Sequence, residues 1–409
     1  MATTQRPLPE MFEIKESGCS SAFAPLRLTV KSFPLCLGAL VAQSYSSKEN
    51  RPLRHNTRQI LLGRLPVGGD APISVQSMCT TDTRDVVATL AQIEALQQAH
   101  CEIVRCAVLD AVAAQALGRI RRGCAIPLIA DIHFDYRLAL TAIEQGVDGL
   151  RLNPGNIGAR WKVEAVVRAC AERRVPIRIG VNAGSLEPEL LRSHGQPSAE
   201  AMVASALGHI RILEELNFAE IKVSLKASDI ARTVAAYRLL AGQVDYPLHI
   251  GITEAGTTWS GTIKSAIGLG TLLYEGIGDT LRVSLTGDPV AEVRVGWEIL
   301  KSLRLRESGP IFVSCPTCGR CEIELIEIAE EVERRLHDLP RPLTIAVMGC
   351  VVNGPGEARE ADLGIAGGKD QGLLFRRGKV IRKMPQQELA DALVEEAWKM
   401  VAAQQVIEA

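Results

Sequence analysis

Short runs of aliphatic and β-branched residues alternate with longer stretches of helical periodicity along most of this chain. The runs are residues 74–78, 103–108, 127–133, 149–153, 176–182, 220–226, 247–254 and 280–285. Eight strands that alternate with helices over about 240 residues predict an α/β fold, a (β/α)8 TIM barrel. A doubly wound open sheet is the competing fold, but no glycine-rich dinucleotide fingerprint follows the first run.

The alternation ends near residue 302, and this change predicts a second domain. Residues 303–310 are polar and end in Gly309 and Pro310, as expected of a joint between domains. We therefore expect a TIM barrel at residues 56–302 and a small α+β domain at residues 311–409.

The elements of the second domain and the N-terminal segment are predicted less directly. The second domain is expected to contain an acidic helix, two strands and a closing helix, near residues 321–336, 343–348, 372–381 and 386–402. Residues 1–55 show no sustained period. We interpret them as a disordered or atypical leader, or as the product of a start codon assigned too early.

Charge and composition exclude some classes of partner. The chain has 46 Lys and Arg against 47 Asp and Glu, so its net charge gives no reason to expect nucleic acid or an acidic membrane. The longest apolar run, residues 33–42, contains Pro34 and is too short to span a bilayer. Glutamates precede this run where a signal peptide would carry basic residues.

The cysteines indicate the compartment. Eleven cysteines in a chain of 409 residues do not resemble a small disulfide scaffold. Several lie in apolar segments and are interpreted as reduced core thiols: Cys79, Cys101, Cys106, Cys124 and Cys170. We therefore predict a cytoplasmic protein.

Charged side chains occupy one face of most predicted barrel strands, although barrel interiors are normally filled by Val, Ile and Leu. Six cations share these faces: Arg105, Arg151, Arg178, Lys222, Lys226 and Arg282. Asp131 and Glu254 are the only acids on the same faces. An internal ion pair would explain any single arginine. Confined cations repel one another, however, so an anionic ligand is the simplest compensation, and several arginine forks suit a diphosphate.

Three polar residues of these strands are candidates for proton transfer. Asp131 and His133 end the third predicted strand, and Glu254 ends the seventh. Glu254 is the best placed, because an acid among cations stays ionised and oriented. His133 has an alternative role, as a neutral imidazole that is hydrogen-bonded to Asp131 and serves as scaffold.

A cysteine pattern near the C-terminus predicts a metal site. Its members are Cys315, Cys318, Cys321 and Cys350. Zinc sites usually need two CxxC knuckles, and the ferredoxin run would require a cysteine where Leu325 stands. Cys315, Cys318 and Cys350 are therefore the first predicted ligands. The fourth is either Cys321 or Glu357, and an iron held by a carboxylate would be open to a substrate oxygen as a Lewis acid.

Eight motifs carry a resemblance to a known family. They are VQSM at 75–78, DIHFD at 131–135, RLNPGN at 151–156, RIGVN at 178–182, KVSLK at 222–226, GITEAG at 251–256, SCPTCGR at 314–320 and MGCVVNGPGE at 348–357. Together they closely resemble the hydroxymethylbutenyl diphosphate synthase family, the iron-sulfur enzymes of the non-mevalonate isoprenoid pathway. The resemblance extends from about residue 57 to the C-terminus.

The resemblance implies a cofactor and a reaction. The cofactor is a [4Fe-4S] cluster held by three cysteines and a glutamate, which correspond to Cys315, Cys318, Cys350 and Glu357. The implied substrate is methylerythritol cyclodiphosphate. Two electrons from a flavodoxin or a ferredoxin open its ring and expel a hydroxyl as water, which gives hydroxymethylbutenyl diphosphate.

The resemblance also implies how the substrate is held. The matching diphosphate-binding positions are Arg105, Arg151, Arg178, Lys226 and Arg282, with hydrogen bonds from Asn153, Asn182 and Ser284. Lys222 joins this predicted set through its place on the charged strand face. Glu254 matches the proposed proton-transfer acid of the family, and Asp131 and His133 match pocket residues. A head-to-tail homodimer, in which the cluster domain caps the partner's barrel, follows by analogy.

Some features depart from the family, and two rival interpretations stay open. Cys321 is a spare thiol beside the expected cluster, and Cys79 stands where threonine is more usual. The insertion of plant relatives is absent, which indicates a bacterial type. One rival is a pterin-binding-type transferase with a structural metal domain, which leaves Glu357 without a role. The other is an electron carrier or cluster scaffold, which leaves the six barrel cations unexplained.

Overall fold

The computed structural model describes residues 54–350, 356, 358–369 and 371–408. The predicted leader lies outside these residues except for its last two positions, and Glu357 lies outside them as well. Among the helices in this part of the chain, none is long and apolar enough to cross a membrane.

The first domain consists of alternating strands and helices. Its strands are β1 (Ile60–Leu62), β2 (Leu65–Val67), β3 (Ser74–Met78), β4 (Ile103–Ala107), β5 (Leu128–Asp131), β6 (Gly149–Leu152), β7 (Ile177–Asn182), β8 (Ile221–Lys226), β9 (His249–Ile250) and β10 (Thr280–Leu281). Its helices are α1 (Val86–Gln98), α2 (Ala111–Gly123), α3 (Tyr136–Glu144), α4 (Pro154–Ile157), α5 (Arg160–Arg173), α6 (Pro188–His194), α7 (Ala199–Glu214), α8 (Ile230–Ala241), α9 (Thr258–Tyr274) and α10 (Pro289–Ser302).

Strands β3 to β10 form a parallel barrel. Their order is β8-β7-β6-β5-β4-β3-β10-β9. The ring closes where Val223 of β8 bridges Leu248, and the Val223 N–H donates to the Pro247 carbonyl at 2.9 Å. This architecture confirms the TIM barrel that the alternation predicts. Strands β9 and β10 have two residues each and are shorter than the predicted runs.

Aspartates start several of the barrel helices. The side chains of Asp85, Asp110, Asp135, Asp229 and Asp288 each accept a hydrogen bond from a backbone N–H in the first turn of α1, α2, α3, α8 and α10. Such caps satisfy N–H groups that have no partner within the helix. They fix each helix directly after the loop that leaves a strand, which keeps the carboxyl face of the barrel compact.

The hairpin of β1 and β2 closes the opposite end of the barrel, and the sequence pattern did not predict it. Ile60, Leu62 and Val67 pack on Ile103 and Ile129, which point inward at the start of β4 and β5. The turn depends on Gly63, whose φ is +60°, a conformation that costs glycine little.

The second domain is a mixed sheet with helices. Its strands are β11 (Ile311–Ser314), β12 (Thr344–Met348), β13 (Leu363–Ala366), β14 (Gly372–Arg376) and β15 (Lys379–Met384), and its helices are α11 (Leu325–Leu336) and α12 (Leu389–Glu408). The sheet has the order β11-β12-β13-β14-β15, with β11, β12 and β13 parallel and the rest antiparallel. This is the α+β domain that the composition predicts.

The structure corrects the predicted strands of this domain. Residues 372–381 were expected as one strand but form a hairpin of β14 and β15, because Arg377 and Gly378 both have positive φ, at 45° and 74°. Two positive φ values are the signature of a tight hairpin turn. Strands β11 and β13, four residues each, were not predicted.

The joint between the domains is held on the end of the barrel that carries the hairpin. Arg306 donates to the carbonyl of Ile73 at 2.6 Å, pairs with Glu102 at 3.1 Å, and lies 4.7 Å from the ring centre of Trp297. Ile73 and Glu102 immediately precede β3 and β4. The chain therefore enters the second domain from the amino end of the barrel strands.

Candidate functional site

The charged faces of the barrel strands converge on one cavity at the carboxyl end of the barrel, here called the barrel mouth. Its volume is about 150 Å³. It is lined by Arg105, Asp131, His133, Arg151, Arg178, Asn182, Ser224, Lys226, Thr253, Arg282 and Ser284. All of these lining residues except Ser224 and Thr253 were predicted as site residues from the sequence. The cavity therefore brings most of the predicted site residues together.

Strand register explains this convergence. Asp131 of β5 is paired with Arg151 of β6, which is paired with Arg178 of β7 and through it with Lys222 of β8. Because alternate residues share a face, these side chains all point into the barrel while Leu150, Ile177 and Ile221 pack under the helices.

Asp131 is the counter-charge of two arginines in the barrel mouth. Its carboxylate oxygens lie 3.2 Å from Arg151 Nη1 and 3.7 Å from Arg105 Nε. Burial alone would raise the pKa of Asp131, but the nearby cations, Arg105 foremost, hold the pKa well below its usual range. Asp131 is therefore a fixed carboxylate that orients arginines, and it does not supply a proton near neutral pH.

His133 lies at the edge of the same ion-pair cluster. Its Nε2 is 3.7 Å from Asp131 Oδ2, and its ring nitrogens are both 3.4 Å from Arg151 Nη1. The side chain is half exposed.

A second acid reaches the barrel mouth from a helix. Glu292, in the first turn of α10, is buried and lies 3.2 Å from Arg282 Nη2, and it also accepts the Leu285 N–H at 2.9 Å. The sulfur of Met78 lies 2.8 Å from Arg105 Nη2 and 3.8 Å from Arg282 Nη1. Neither contact was predicted from the sequence.

In the described part of the chain, the acids at the barrel mouth pair with Arg105, Arg151 and Arg282 and not with Arg178 or Lys226. Arg178 is 2% exposed, and its Nε and Nη1 have no hydrogen-bond partner among the described residues. Burial, together with Arg105 and Arg151, lowers its pKa well below the usual value. Burial, with Arg178, likewise lowers the pKa of Lys226. An anion in the barrel mouth would relieve both effects.

Lys222 was predicted to bind substrate, but it lies deeper and does not line the barrel mouth. It is 2% exposed, and its Nζ has no hydrogen-bond partner in the described parts of the chain. Burial and the charge of Arg178 lower its pKa to about 7. Gln76 and His249 also have buried polar atoms without a partner in those parts. Lys222 thus belongs to a polar layer beneath the site.

The predicted hydrogen-bonding residues have distinct positions. Asn153 Oδ1 accepts the Gly180 N–H at 2.8 Å, which ties β7 to the loop after β6. Asn182 and Ser284 line the barrel mouth itself. Gly180 admits Arg151, because a Cβ there would lie 2.5 Å from Arg151 Nε.

Glu254 lines a second cavity of about 460 Å³ beside the barrel mouth. The two cavities share Asn182, Lys226 and Thr253, so they form one extended site. Glu254 has a φ of 52°, a strained conformation for a residue with a side chain. The surrounding fold therefore holds the backbone of Glu254 in this conformation.

The predicted metal ligands that the structure describes lie at the carboxyl ends of neighbouring parallel strands in the second domain. Cys315 directly follows β11, and Cys350 follows β12 after Gly349. The Gly349 N–H donates to Cys315 Sγ at 3.1 Å, so the two loops touch. Cys318 is exposed, and a hydrogen bond from the Arg320 backbone lowers the pKa of its thiol.

Cys321 is oriented differently from these cysteines. Its thiol donates to the Ile323 carbonyl at 3.2 Å, and a Cβ on Gly349 would lie 2.6 Å from its sulfur. Within the described residues, no three His, Cys, Asp or Glu side chains are arranged to hold a metal ion. Glu357 lies outside these residues.

The donor set nevertheless fits an iron-sulfur cluster. The cysteines supply soft thiolate ligands from two adjoining loops, and a backbone N–H already points at one sulfur. Fold and site together define an anion-binding TIM-barrel protein with a cysteine-bearing second domain.

Comparison with known proteins gives the family. Residues 57–297 match the GcpE TIM-barrel domain and residues 311–399 match the GcpE protein C-terminal domain. The chain therefore belongs to the GcpE family, which is an iron-sulfur enzyme family.

Several curated relatives carry one name, 4-hydroxy-3-methylbut-2-en-1-yl diphosphate synthase (flavodoxin). The protein of Geobacter sulfurreducens is 70% identical over 86% of this chain and 99% of its own length. Those of Maridesulfovibrio salexigens and Clostridium perfringens are 62% and 59% identical, over 81% and 83% of this chain and 92% and 98% of their own lengths. Among solved structures, a dihydropteroate synthase of Yersinia pestis aligns with 61% of this chain and 98% of its own at 11% identity and a TM-score of 0.44, too low to support a conclusion.

Proposed function

We propose that this chain catalyses the reductive ring opening and dehydration of 2-C-methyl-D-erythritol 2,4-cyclodiphosphate. The product is (E)-4-hydroxy-3-methylbut-2-enyl diphosphate, an intermediate of isoprenoid biosynthesis by the methylerythritol phosphate pathway. Two electrons enter, the ring C–O bond to phosphate breaks, and a hydroxyl leaves as water with an added proton. The observation that carries the proposal is the cluster of buried cations at the barrel mouth of a chain whose relatives are named for this diphosphate product.

The barrel mouth binds the diphosphate. Arg105, Arg151 and Arg282 are already oriented by Asp131 and Glu292. Arg178 and Lys226 add positive charge that is not ion-paired with an acid among the described residues, and Asn182 and Ser284 add polar groups at the wall. Arginine forks bind phosphate oxygens bidentately, so the anion completes an arrangement that the strands hold in advance.

Glu254 is proposed to hold the proton that the departing hydroxyl needs. It lines the second cavity together with Lys226 and Asn182, which also line the barrel mouth. Its backbone is held in a strained conformation at this edge of the site. Asp131 is unsuited to this role because the cations keep it ionised. His133 lies within reach of the barrel mouth, and its contact with Arg151 supports the scaffold role.

We propose that Cys315, Cys318, Cys350 and Glu357 hold the cofactor, a [4Fe-4S] cluster. When bound, such a cluster supplies single electrons and a Lewis-acidic iron. The contact from the Gly349 N–H to Cys315 and the separate orientation of Cys321 support this ligand set over one with four cysteines. Flavodoxin, named with the relatives, is the proposed electron donor, and ferredoxin is the alternative.

A head-to-tail homodimer is proposed to bring cysteines and barrel mouth together. Arg306 anchors the joint at the amino end of the barrel strands, opposite the mouth. Around the mouth, large apolar side chains are exposed in the loops after the strands or in the first turns of the helices: Leu109, Val112, Phe134, Trp161 and Trp259. An apolar rim around a charged site indicates a covering partner. The domain boundaries and the cytoplasmic location stay predictions.

The test is anaerobic purification with iron, sulfide and zinc analysis, a visible spectrum, and turnover of the cyclic diphosphate with reduced flavodoxin. We expect about four irons and about four sulfides per chain and a brown protein. Cys350→Ser should lose the iron and the turnover, and Glu357→Ala should give a labile or altered cluster. Cys170→Ser, a buried barrel thiol, is the matched control. One zinc per chain without sulfide would reject the reductase and favour a transferase with a structural metal.

A further inference from the structure

Two loops of the barrel mouth meet on one buried histidine that the proposed chemistry does not use. His209 of α7 is 5% exposed. Its Nδ1 lies 3.3 Å from the backbone nitrogen of Gly155, in the short helix α4 within the loop that joins β6 to α5. Its Nε2 lies 3.0 Å from Oε1 of Glu187, in the loop after β7.

The two contacts fix the protonation state of His209. A backbone N–H can only donate, so the ring nitrogen that faces Gly155 must accept and carries no proton. The other ring nitrogen then carries the proton and donates it to the Glu187 carboxylate. A doubly protonated imidazole would point an N–H at the N–H of Gly155. The contact with Gly155 therefore requires the neutral ring with its proton on Nε2.

The surroundings of His209 leave little freedom. A Cβ on Gly155 would lie 2.7 Å from His209 Cε1, so the loop and the ring are in close contact. Ser205, one turn earlier on α7, donates to the same Glu187 oxygen at 3.1 Å. Helix α7 thus holds Glu187 with two side chains and Gly155 with one.

The loop that His209 holds is continuous with the barrel mouth. Asn153, two residues before Gly155, accepts the Gly180 N–H at 2.8 Å. Arg151 donates to the Gly180 carbonyl at 3.1 Å. A shift of Gly155 therefore moves Asn153, and with it the partner that keeps Gly180 and Arg151 in place.

We propose that His209 is a positioning residue for the diphosphate, a neutral imidazole that holds the loops after β6 and β7 in register with each other. Through Gly155 and Asn153 it maintains the place of Arg151, and through Glu187 it anchors the segment that follows Asn182. The inference deepens the proposed function, since the diphosphate is the ligand that the arginines are placed to bind.

Acid should weaken this arrangement. Burial lowers the pKa of His209, although Glu187 opposes the change, so the neutral ring persists near neutral pH. The charged group that faces the ring is Glu187, from the loop after β7. Ser205, on the same helix, and the Gly155 backbone are uncharged. As pH falls, a second proton would enter at Nδ1 and displace Gly155.

The test compares two substitutions of similar size in the full holoenzyme. His209→Phe keeps the ring and removes both hydrogen bonds. His209→Gln keeps one acceptor and one donor, as in the neutral imidazole. The readouts are KM and kcat for the cyclic diphosphate and, by calorimetry, the Kd for inorganic pyrophosphate. We expect His209→Phe to raise KM and Kd about tenfold with kcat within about twofold, and His209→Gln to restore most of the affinity.

A third variant and a pH series separate positioning from simple stability. Gly155→Ala forces the loop away from the ring, so it should raise the pyrophosphate Kd like His209→Phe, and the double variant should be no worse than either. As pH falls below 6.5, the ordinary histidine value from which burial lowers the pKa of His209, the wild type should lose affinity relative to His209→Gln, which cannot titrate.

Unchanged KM and pyrophosphate Kd in His209→Phe would overturn the inference, even if its melting temperature falls. A wild type that binds pyrophosphate but does not turn over the cyclic diphosphate would instead count against the proposed function. A weakened pyrophosphate Kd in His209→Phe would support the positioning role in that case too.

Discussion

The barrel mouth and the cysteine loops lie at equivalent places, the carboxyl ends of parallel strands, but they are held in different ways. In the barrel, Arg105, Asp131 and Arg151 project from the strands themselves and are paired with one another. In the second domain, Cys315 and Cys350 lie just beyond the strand ends, and Cys318 lies further out and is exposed.

The difference reflects the forces within each site. Cations repel, so a cationic pocket keeps its shape only when a rigid scaffold and a few acids hold each side chain. Thiolate ligands are drawn together by the metal that they bind, so loops are sufficient for them. The barrel mouth is therefore preformed, whereas the cysteine loops would take their final arrangement from the proposed cluster.

The largest effect is expected from Arg178→Met. This variant tests whether the buried positive charge of the preformed site destabilises the folded chain. The affinity for the cyclic diphosphate should fall about 100-fold, because a buried phosphate-binding fork is lost. The free energy of unfolding should rise by about 1–3 kcal/mol, because a buried cation without a partner of its own is removed. Calorimetric titration and urea unfolding measure the two quantities.

Arg122→Met, at an exposed position of α2, is the control for loss of a positive charge. It should change neither quantity appreciably. Suppose that Arg178→Met lowered stability as well as affinity. Arg178 would then stabilise the barrel, and its buried charge would not destabilise the folded state.

An intermediate effect is expected from Lys222→Met, which tests the polar layer beneath the mouth. The pKa of Lys222 is lowered from 10.5 to about 7 in the folded chain. Between those pH values the unfolded chain binds more protons at this residue, so its contribution to stability rises with pH. The variant should be more stable than the wild type by about 2–4 kcal/mol at pH 7, and the difference should shrink toward pH 10.

Urea unfolding at pH 7, 8.5 and 10 measures this difference. Lys264→Met, on the outer helix α9, serves as the comparison. Because Lys222 does not line the mouth, KM for the cyclic diphosphate should change less than threefold. A difference in stability that does not depend on pH would contradict the buried, neutral lysine.

The smallest effect is expected from Cys321→Ala, which tests the cysteine loops. The Cys321 thiol is already directed at the Ile323 carbonyl and packs against Gly349, so its loss should leave iron and sulfide content unchanged and turnover within about twofold. Cys318→Ala, measured beside it, should lose the iron. Loss of iron in Cys321→Ala would make Cys321 the fourth ligand and leave Glu357 without that role.

The same comparison explains what the sequence could predict. The period of a strand is fixed, so the alternation of residues is enough to assign Arg151, Arg178 and Lys226 to one interior. The alternation of residues does not predict that Glu292 and Met78 contact the site. Glu292 resembles an ordinary acid in the first turn of a helix, and Met78 resembles an ordinary core residue, because their contacts with Arg282 arise only when the barrel closes.

Short elements were the other limit of the sequence pattern. The β1–β2 hairpin has strands of three residues, and β11 and β13 have four each. Segments of this length contain too few alternations to differ from a loop, and their strand conformation depends on neighbours distant in sequence. The sequence pattern also did not predict how far Lys222 lies below the mouth. Alternation assigns a side chain to one face of a strand but does not give its position along the barrel axis.

The β1–β2 hairpin at the amino end of the barrel strands affects how substrate enters and product leaves. Among the described residues, Ile60, Leu62 and Val67 pack over that end of the barrel, which leaves the mouth as the way in. Whatever enters must leave by the same way, so a departing product and an arriving substrate exclude each other. The order of events in a catalytic cycle is thereby set partly by three apolar side chains at the end of the barrel farthest from the chemistry.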